Sequence, residues 1–376
     1  MSFLPACKEL DRQPLGDMIR NFGENAVLRA LDKPTLSSED YMALLSPAAE
    51  PHLEAMAQAA HKRTLQHFGR TIQLFTPLYL ANHCSNHCVY CGFNARNDIP
   101  RSQLSMDELR VEAEAIAATG LKHLLILTGE APNKAGVDYL EEAVTVLAPI
   151  FPSVSIEVFP MDEADYVRLI GAGVDGLTVF QETYNKELYE KLHPAGPKRV
   201  YDYRLEAPDR GCRAGMRVVN IGGLLGLDDW RRESFMTGMH AAHLLHAYPG
   251  VDIAVSLPRM RPHTGAFQPA HIVDDRQLVQ IMTALRLFLP RVSITISTRE
   301  APEFRDNILP LGVTRMSAGV TTAVGGHTKG NDTAQFDISD PRSVDEMCSA
   351  LKTRGYQPVF KDWEPITSPG SHEIAR

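Results

Sequence analysis

From Thr71 to Gly319, apolar runs of strand length alternate with stretches of helical periodicity, and this rhythm constrains the fold more than any other feature. The runs are TIQLFTPLYL, HLLILTGE, SVSIEVFP, GLTVFQETY, RVVNIGGLLGL, VDIAVSLP, VSITISTRE and VTRMSAG. Between them lie helical segments: one opened by a Ser105/Glu108 capping box and closed near Gly120, one through VDYLEEAVTVLAPI, and one from Asp162 to Gly171. YDYRLEAPDRGCRAG, the stretches Arg231 to Ala247 and Asp274 to Leu289, and a short piece near Arg305 continue the series. Alternation of this kind requires a parallel sheet with helices covering it, and eight runs predict a closed (β/α)8 barrel of the TIM type over an open doubly wound sheet.

Residues 1–70 read as a helical lead-in, with Ser37 and Ser46 as N-caps, Pro47 in a first turn, and Leu53, Met56, Ala57 and Ala60 at helical spacing. The barrel core is expected over 71–320. Residues 321–376 are expected to form a C-terminal helix and a tail that packs Trp363 locally. No stretch has the roughly 18 uninterrupted apolar residues of a membrane span, and the N-terminus lacks the layout of a secretory signal. A net charge of −8, without a long basic run, argues against nucleic-acid or anionic-membrane partners. Three clustered cysteines and three scattered ones (Cys7, Cys212, Cys348) do not read as a disulfide framework; a cytoplasmic location and metal or catalytic use are expected.

If the barrel forms, the strand ends gather at one mouth. The first end carries HCSNHCVYC, spaced Cys84-x3-Cys88-x2-Cys91 with Tyr90 before the last cysteine. Three thiolates are one short of the usual four for a structural zinc or a cubane, so one metal position stays open. A zinc reading would take His83 or His87 as fourth ligand, inside the same short loop and without the second ligand pair of closed zinc modules. A C-x-x-C redox reading leaves Cys84 unexplained and lacks a thioredoxin-sized frame.

The Cys-x3-Cys-x-aromatic-Cys motif after a first barrel strand resembles the signature of the radical S-adenosylmethionine (radical SAM) enzymes. That resemblance implies a 4Fe-4S cluster on Cys84, Cys88 and Cys91, its fourth iron open to S-adenosylmethionine, which one electron cleaves to methionine and a 5′-deoxyadenosyl radical. It also implies cofactor contacts. LTGE resembles the family's glycine-rich element: Thr128 replaces its first glycine, Gly129 permits close backbone approach, and Glu130 would meet the methionine ammonium. Arg204 in YDYRLEAPDR corresponds to an arginine that meets the methionine carboxylate, for which a bidentate guanidinium is suited. Gly222, Gly223 and Leu224 in NIGGLLGLDD correspond to residues beside adenine, which Tyr90 and Phe93 would flank.

Across nearly the whole chain, PLYLANHCSNHCVYCGF, VFQETY, RLEAPDR, SLPRMRP, STRE and FKDW resemble the 2-iminoacetate synthases of thiazole biosynthesis. This implies a carbon–carbon lyase that splits L-tyrosine into p-cresol and 2-iminoacetate (dehydroglycine). Thiazole synthase would be its protein partner, and a flavodoxin or ferredoxin-type protein its electron donor. Arg299 in STRE and Ser317 at the eighth strand end are the expected carboxylate ligands. Pairing of Arg299 with Glu300 or Asp306 is the structural alternative. Glu182 in QETY would face the ribose or the amine, and Arg259 and Arg261 are further anion-binding candidates. His263 reads as a loop histidine. The relatives to be separated from this reading are a tryptophan lyase and the tyrosine lyase of hydrogenase maturation. The latter carries an extra C-terminal cysteine cluster, whereas this chain holds only Cys348 after Ser317.

Overall fold

The computed structural model describes residues 2–262, 267–269, 271–330 and 334–361. Eight strands follow in chain order: β1 Thr71–Ala81, β2 His123–Thr128, β3 Ser153–Glu157, β4 Val174–Glu182, β5 Val218–Gly223, β6 Asp252–Ser256, β7 Ser293–Ile296 and β8 Arg315–Ser317. Each pairs in parallel with the next, and β1 pairs with both β8 (Gln73↔Arg315) and β2 (Thr76↔Leu124), so the sheet closes on itself. The closed barrel expected from the alternation is the observed one, and each strand begins within about two residues of where the apolar run begins.

A ninth strand, β9 Gln357–Val359, was not anticipated. It pairs in parallel with Thr71–Gln73 at the start of β1, while Gln73 also pairs with β8. At three residues, one of them Pro358, it has too little alternation to register as a strand. Its segment was expected to pack only as a tail; instead it extends the sheet at the base of the barrel. Trp363, His263 and the FKDW tryptophan contact lie outside the described residues.

Capping sets the helix starts. Ser105 and Glu108 form the expected reciprocal box before Met106–Ala118, and Ser37 with Asp40 does the same before Ser38–Leu45. Ser46 instead precedes a 3-10 turn, Pro47–His52, that leads into the helix Leu53–Phe68. The lead-in helices share one hydrophobic core with the barrel. Tyr41 stacks on Phe288 (4.5 Å), its hydroxyl donates to the Ser234 carbonyl (2.9 Å), and the buried Gln280 amide donates to the carbonyls of Leu44 and Ser46 (2.9 Å each). A Cβ at Gly238 would overlap the Tyr41 ring, so the helix Trp230–Ala247 needs glycine there to let the lead-in dock.

Candidate active site

The loop after β1 is held by interactions that bypass its cysteines. Arg101 donates to four loop carbonyls, those of Asn82 (2.7 Å), Phe93 (2.9 Å), Asn94 (2.7 Å) and Asn97 (3.2 Å). Ser85 Oγ donates to the Glu130 carbonyl (2.7 Å), and Asn86 Nδ2 to the Glu130 carboxylate (2.7 Å), tying the loop to the end of β2. A Cβ at Gly129 would overlap the His83 carbonyl and press on the Cβ of Cys84, so glycine is required for the two loops to meet.

All three cysteines are unpaired thiols. Burial pushes the Cys88 thiol up to about 12, and it also raises Cys91, whose sulfur accepts from Gln335 Nε2 at 3.7 Å. Protonated, buried thiols must lose their protons to solvent when a metal binds. Among the described residues, no three His, Cys, Asp or Glu side chains converge on a single ion position, as a zinc scaffold requires. A cubane takes one thiolate per iron corner and makes no such demand, so three soft donors on a braced loop fit a cluster.

The adjoining aromatic is locked as well. Tyr90 donates to His193 Nε2 (2.6 Å), and because Nδ1 of that ring donates to the Tyr189 carbonyl (2.7 Å), the tautomer is fixed. Burial and the Lys198 charge hold His193 down at about 3, so it is neutral.

Inside the barrel mouth lies a chamber of about 170 Å³, into which Cys91, Tyr90, Leu224, Glu182, Arg299 and Ser317 all project. Of the other expected residues, Cys88 packs with Tyr90 and Leu224, and Phe93 stands edge-on to Tyr79 at 5.9 Å. The Thr128 hydroxyl is buried without a partner among the described residues. Gly222 sits where a Cβ would overlap the Ser256 carbonyl, and the Cβ position of Gly223 faces the Glu182 carbonyl at 3.3 Å. Glu130 and Arg204 line a second depression beside the chamber, with Lys198 forming the wall between the two.

Glu182 ends β4 at a register shift, with φ +70°, a left-handed conformation unusual for a residue with a Cβ. Its carboxylate takes a bond from Lys198 Nζ (2.6 Å) and lies 3.6 Å from Arg204, whose Nε donates to the Phe180 carbonyl (2.7 Å). Burial alone would raise this carboxyl, but Lys198 and Arg204 hold it below its ordinary range. Lys198, in the turn Pro197–Arg199, gave no motif signal; only the fold brings it here.

Arg299 is stacked 3.5 Å from the centre of the Phe336 ring and has no ion-pair partner among the described residues. The pairing considered from sequence does not occur. Glu300 is taken by Arg259 (3.0 Å to Nε) and Arg261 (3.3 Å), and Asp306 by Arg342 (2.9 Å) and Arg354 (3.0 Å). Arg259 also bonds Asp275 (2.8 Å) and the Val273 carbonyl (3.0 Å), so it is a structural residue of this mouth and no free anion ligand. The Ser317 hydroxyl accepts from the Thr298 amide (3.1 Å), which leaves its proton available to the chamber. Glu157, at the end of β3, faces the same space and was not singled out from sequence, where it reads as one polar position of a strand.

A parallel barrel whose first strand-helix loop sets three thiols beside a chamber in its mouth defines the class matched by the family described as Radical SAM superfamily, over residues 78–237, and by the Biotin and Thiamin Synthesis associated domain, over 256–357. The chain is 42% identical over 350 residues to the 2-iminoacetate synthase of Escherichia coli (strain K12), covering 93% of each, and 42% identical over 340 residues to that of Salmonella typhimurium. Its fold superposes on HydG, a maturase of the FeFe-hydrogenase, with TM-score 0.84 and 30% identity, covering 96% of this chain and 79% of that one. The chain belongs to the 2-iminoacetate synthase family of radical SAM enzymes.

Proposed function

We propose that this chain is a carbon–carbon lyase that cleaves the Cα–Cβ bond of L-tyrosine to p-cresol and 2-iminoacetate, feeding thiazole formation in thiamin synthesis. The observation that carries this reading is a chamber reached both by a thiol of the three-cysteine loop and by an arginine left without a carboxylate partner among the described residues. The family and the 42% identity to 2-iminoacetate synthases support it.

Cys84, Cys88 and Cys91 hold the 4Fe-4S cluster in this reading, and the depression lined by Glu130 and Arg204 takes the amino-acid end of S-adenosylmethionine. When bound, the two supply the 5′-deoxyadenosyl radical that removes a hydrogen atom from the tyrosine amino group. Tyr90, Phe93 and Leu224, with backbone approach at Gly129, Gly222 and Gly223, flank the nucleoside, and Thr128 offers it an unpaired hydroxyl. The pairing of Glu182 with Lys198 suits a ribose contact better than an amine contact, since its charge is already met. Arg299 and Ser317 bind the tyrosine carboxylate, with charge-assisted bonds of about 1.5–3 kcal/mol each. The apolar lining, Phe75, Leu125, Leu127 and Phe180 among it, excludes water around the side chain.

No helix among the described residues is long and apolar enough to cross a membrane. A cytoplasmic enzyme, reduced by a flavodoxin or ferredoxin-type donor and passing 2-iminoacetate to thiazole synthase, completes the proposal. The test is anaerobic incubation of reconstituted protein with reductant, S-adenosylmethionine and tyrosine, followed by chromatography. Wild type should give p-cresol and 5′-deoxyadenosine, and Cys88→Ala neither product and no brown colour. A loaded, iron-replete protein that cleaves the cofactor yet makes no p-cresol would overturn the lyase assignment.

A further inference from the structure

The chamber's charges do not balance locally, and the imbalance has a definite shape. Glu182 is met by Lys198 and Arg204, Glu300 by Arg259 and Arg261, and Glu130 by Asn86. Glu157 alone among these carboxylates has no hydrogen-bond or ion-pair partner among the described residues, and its accessible surface opens into the chamber. Arg299 is a matching cation with no ion-pair partner among the described residues.

The strand order sets the two against each other. Glu157 ends β3 and Arg299 follows β7, four strands apart in a closed ring of eight, so they enter from opposite walls. Their charges act on one another, yet the head groups are not in ion-pair contact. A gap between an unmet guanidinium and an unmet carboxylate is the shape of an α-amino acid head group, carboxylate to Arg299 and nitrogen to Glu157.

We infer that Glu157 receives the tyrosine ammonium group and accepts one of its protons, delivering the neutral amine whose N–H bond is then broken. This rests on the tyrosine-lyase reading and names the residue that sets the substrate's protonation. The proton passes from nitrogen to a carboxylate oxygen, and the electron pair of that N–H bond stays on nitrogen. A neutral amine and a neutral carboxylic acid result, with no electrons exchanged.

Exclusion of water by the bound substrate favours this exchange, because a desolvated site penalises the ammonium and the carboxylate but not the neutral pair. Burial, with the Glu182 charge, pushes the Glu157 carboxyl up to about 7, against the pull of Arg299, Arg204 and Lys198, the charged groups that face it from the loop after β7, the helix Tyr201–Leu205 and the Pro197–Arg199 turn. A general base near the working pH is the efficient choice.

Two measurements test the assignment. The first is calorimetry of tyrosine binding to cluster-loaded, unreduced enzyme at pH 6 and pH 8, in buffers of different ionisation enthalpy. At pH 6, free Glu157 and the ammonium each carry a proton but share one when bound, so roughly one proton should be released per tyrosine, and none at pH 8. The analogue lacking the amino group, 3-(4-hydroxyphenyl)propionate, should bind without release at either pH. No release with tyrosine at pH 6 would overturn the inference, including the case in which Glu157 meets the phenol; this needs no variant to fold.

The second is p-cresol formation by Glu157→Gln between pH 6 and pH 9. A loss of about 100-fold at pH 7 is expected, shrinking as alkali supplies free amine, with Glu157→Asp recovering part of the rate. A wild-type rate in Glu157→Gln, or a loss that does not change with pH, would overturn it. Absence of p-cresol from wild type would sink the lyase reading instead, which the proton count reports separately.

Discussion

Glu182, buried at the end of β4, and Arg299, half-buried just after β7, are charges of one barrel mouth, and their surroundings give them different capacities. Glu182 is neutralised from two sides, so its removal or that of its partner is chiefly a stability matter. Lys198→Met leaves the carboxylate with only the more distant Arg204, and stability to urea should fall by about 3 kcal/mol. Arg299 is held by a ring stack and by no carboxylate among the described residues, so its hydrogen-bonding edge remains for a ligand. Arg299→Ala should therefore keep its iron and weaken tyrosine binding by at least ~10-fold in a calorimetric titration, the loss of about one charge-assisted bond or more. Arg299→Lys should recover only part, since an ammonium lacks the planar fork. An unchanged dissociation constant for the alanine variant would remove Arg299 from the site.

At the scale of elements, the cysteine loop is positioned by its neighbours more than by its own sequence. Arg101 gathers its carbonyls, and the end of β2 supports it through Glu130 and the backbone of Gly129. Gly129→Ala forces a side chain into the His83 carbonyl, and the loop must shift. Iron per chain after reconstitution should drop several-fold while far-ultraviolet circular dichroism stays that of the barrel. Gly171→Ala, in the helix Glu163–Ala172, meets no atom within 4 Å and serves as the control, with unchanged iron. Equal iron in the two variants would mean that the β2 end does not brace the loop.

For the whole molecule, the docking of the lead-in onto the barrel creates a pH dependence of stability. His240 stacks on Phe3 (4.5 Å) and shares a hydrogen bond between its Nδ1 and the Tyr184 hydroxyl (3.0 Å), and burial holds it down at about 3, as it does His193. A histidine lowered on folding binds fewer protons in the native than in the unfolded chain between its two values. Its contribution is therefore complete above about pH 6.5 and is lost as pH falls toward 3. Glu233, pushed up to about 7 by burial, acts in the opposite sense: its contribution is complete below the ordinary carboxylate range and is lost as pH rises through 7. Replacing His240 by Asn should make the rise of unfolding free energy from pH 3 to 6.5 shallower, read from urea curves at a series of pH values. An identical slope would show that the burial of His240 does not govern acid stability.

What the sequence determined by itself is whatever repeats or clusters along the chain: the alternation that closes a barrel, the serine and aspartate caps, and three cysteines within one short loop. Local periodicity and spacing carry that information because strands, helices and metal loops are built from near neighbours. Only the tertiary structure decided which charges are met and which are left open. Lys198 reaches Glu182, and Glu300 takes Arg259 away from the chamber and pairs with Arg261 at its wall. His193 locks Tyr90, Pro358 sits in a strand, and Glu157 turns from one polar strand residue among several into a lone carboxylate facing Arg299. Each of these pairs residues far apart in the chain, and the free energy of a buried charge depends on the neighbours that folding brings to it.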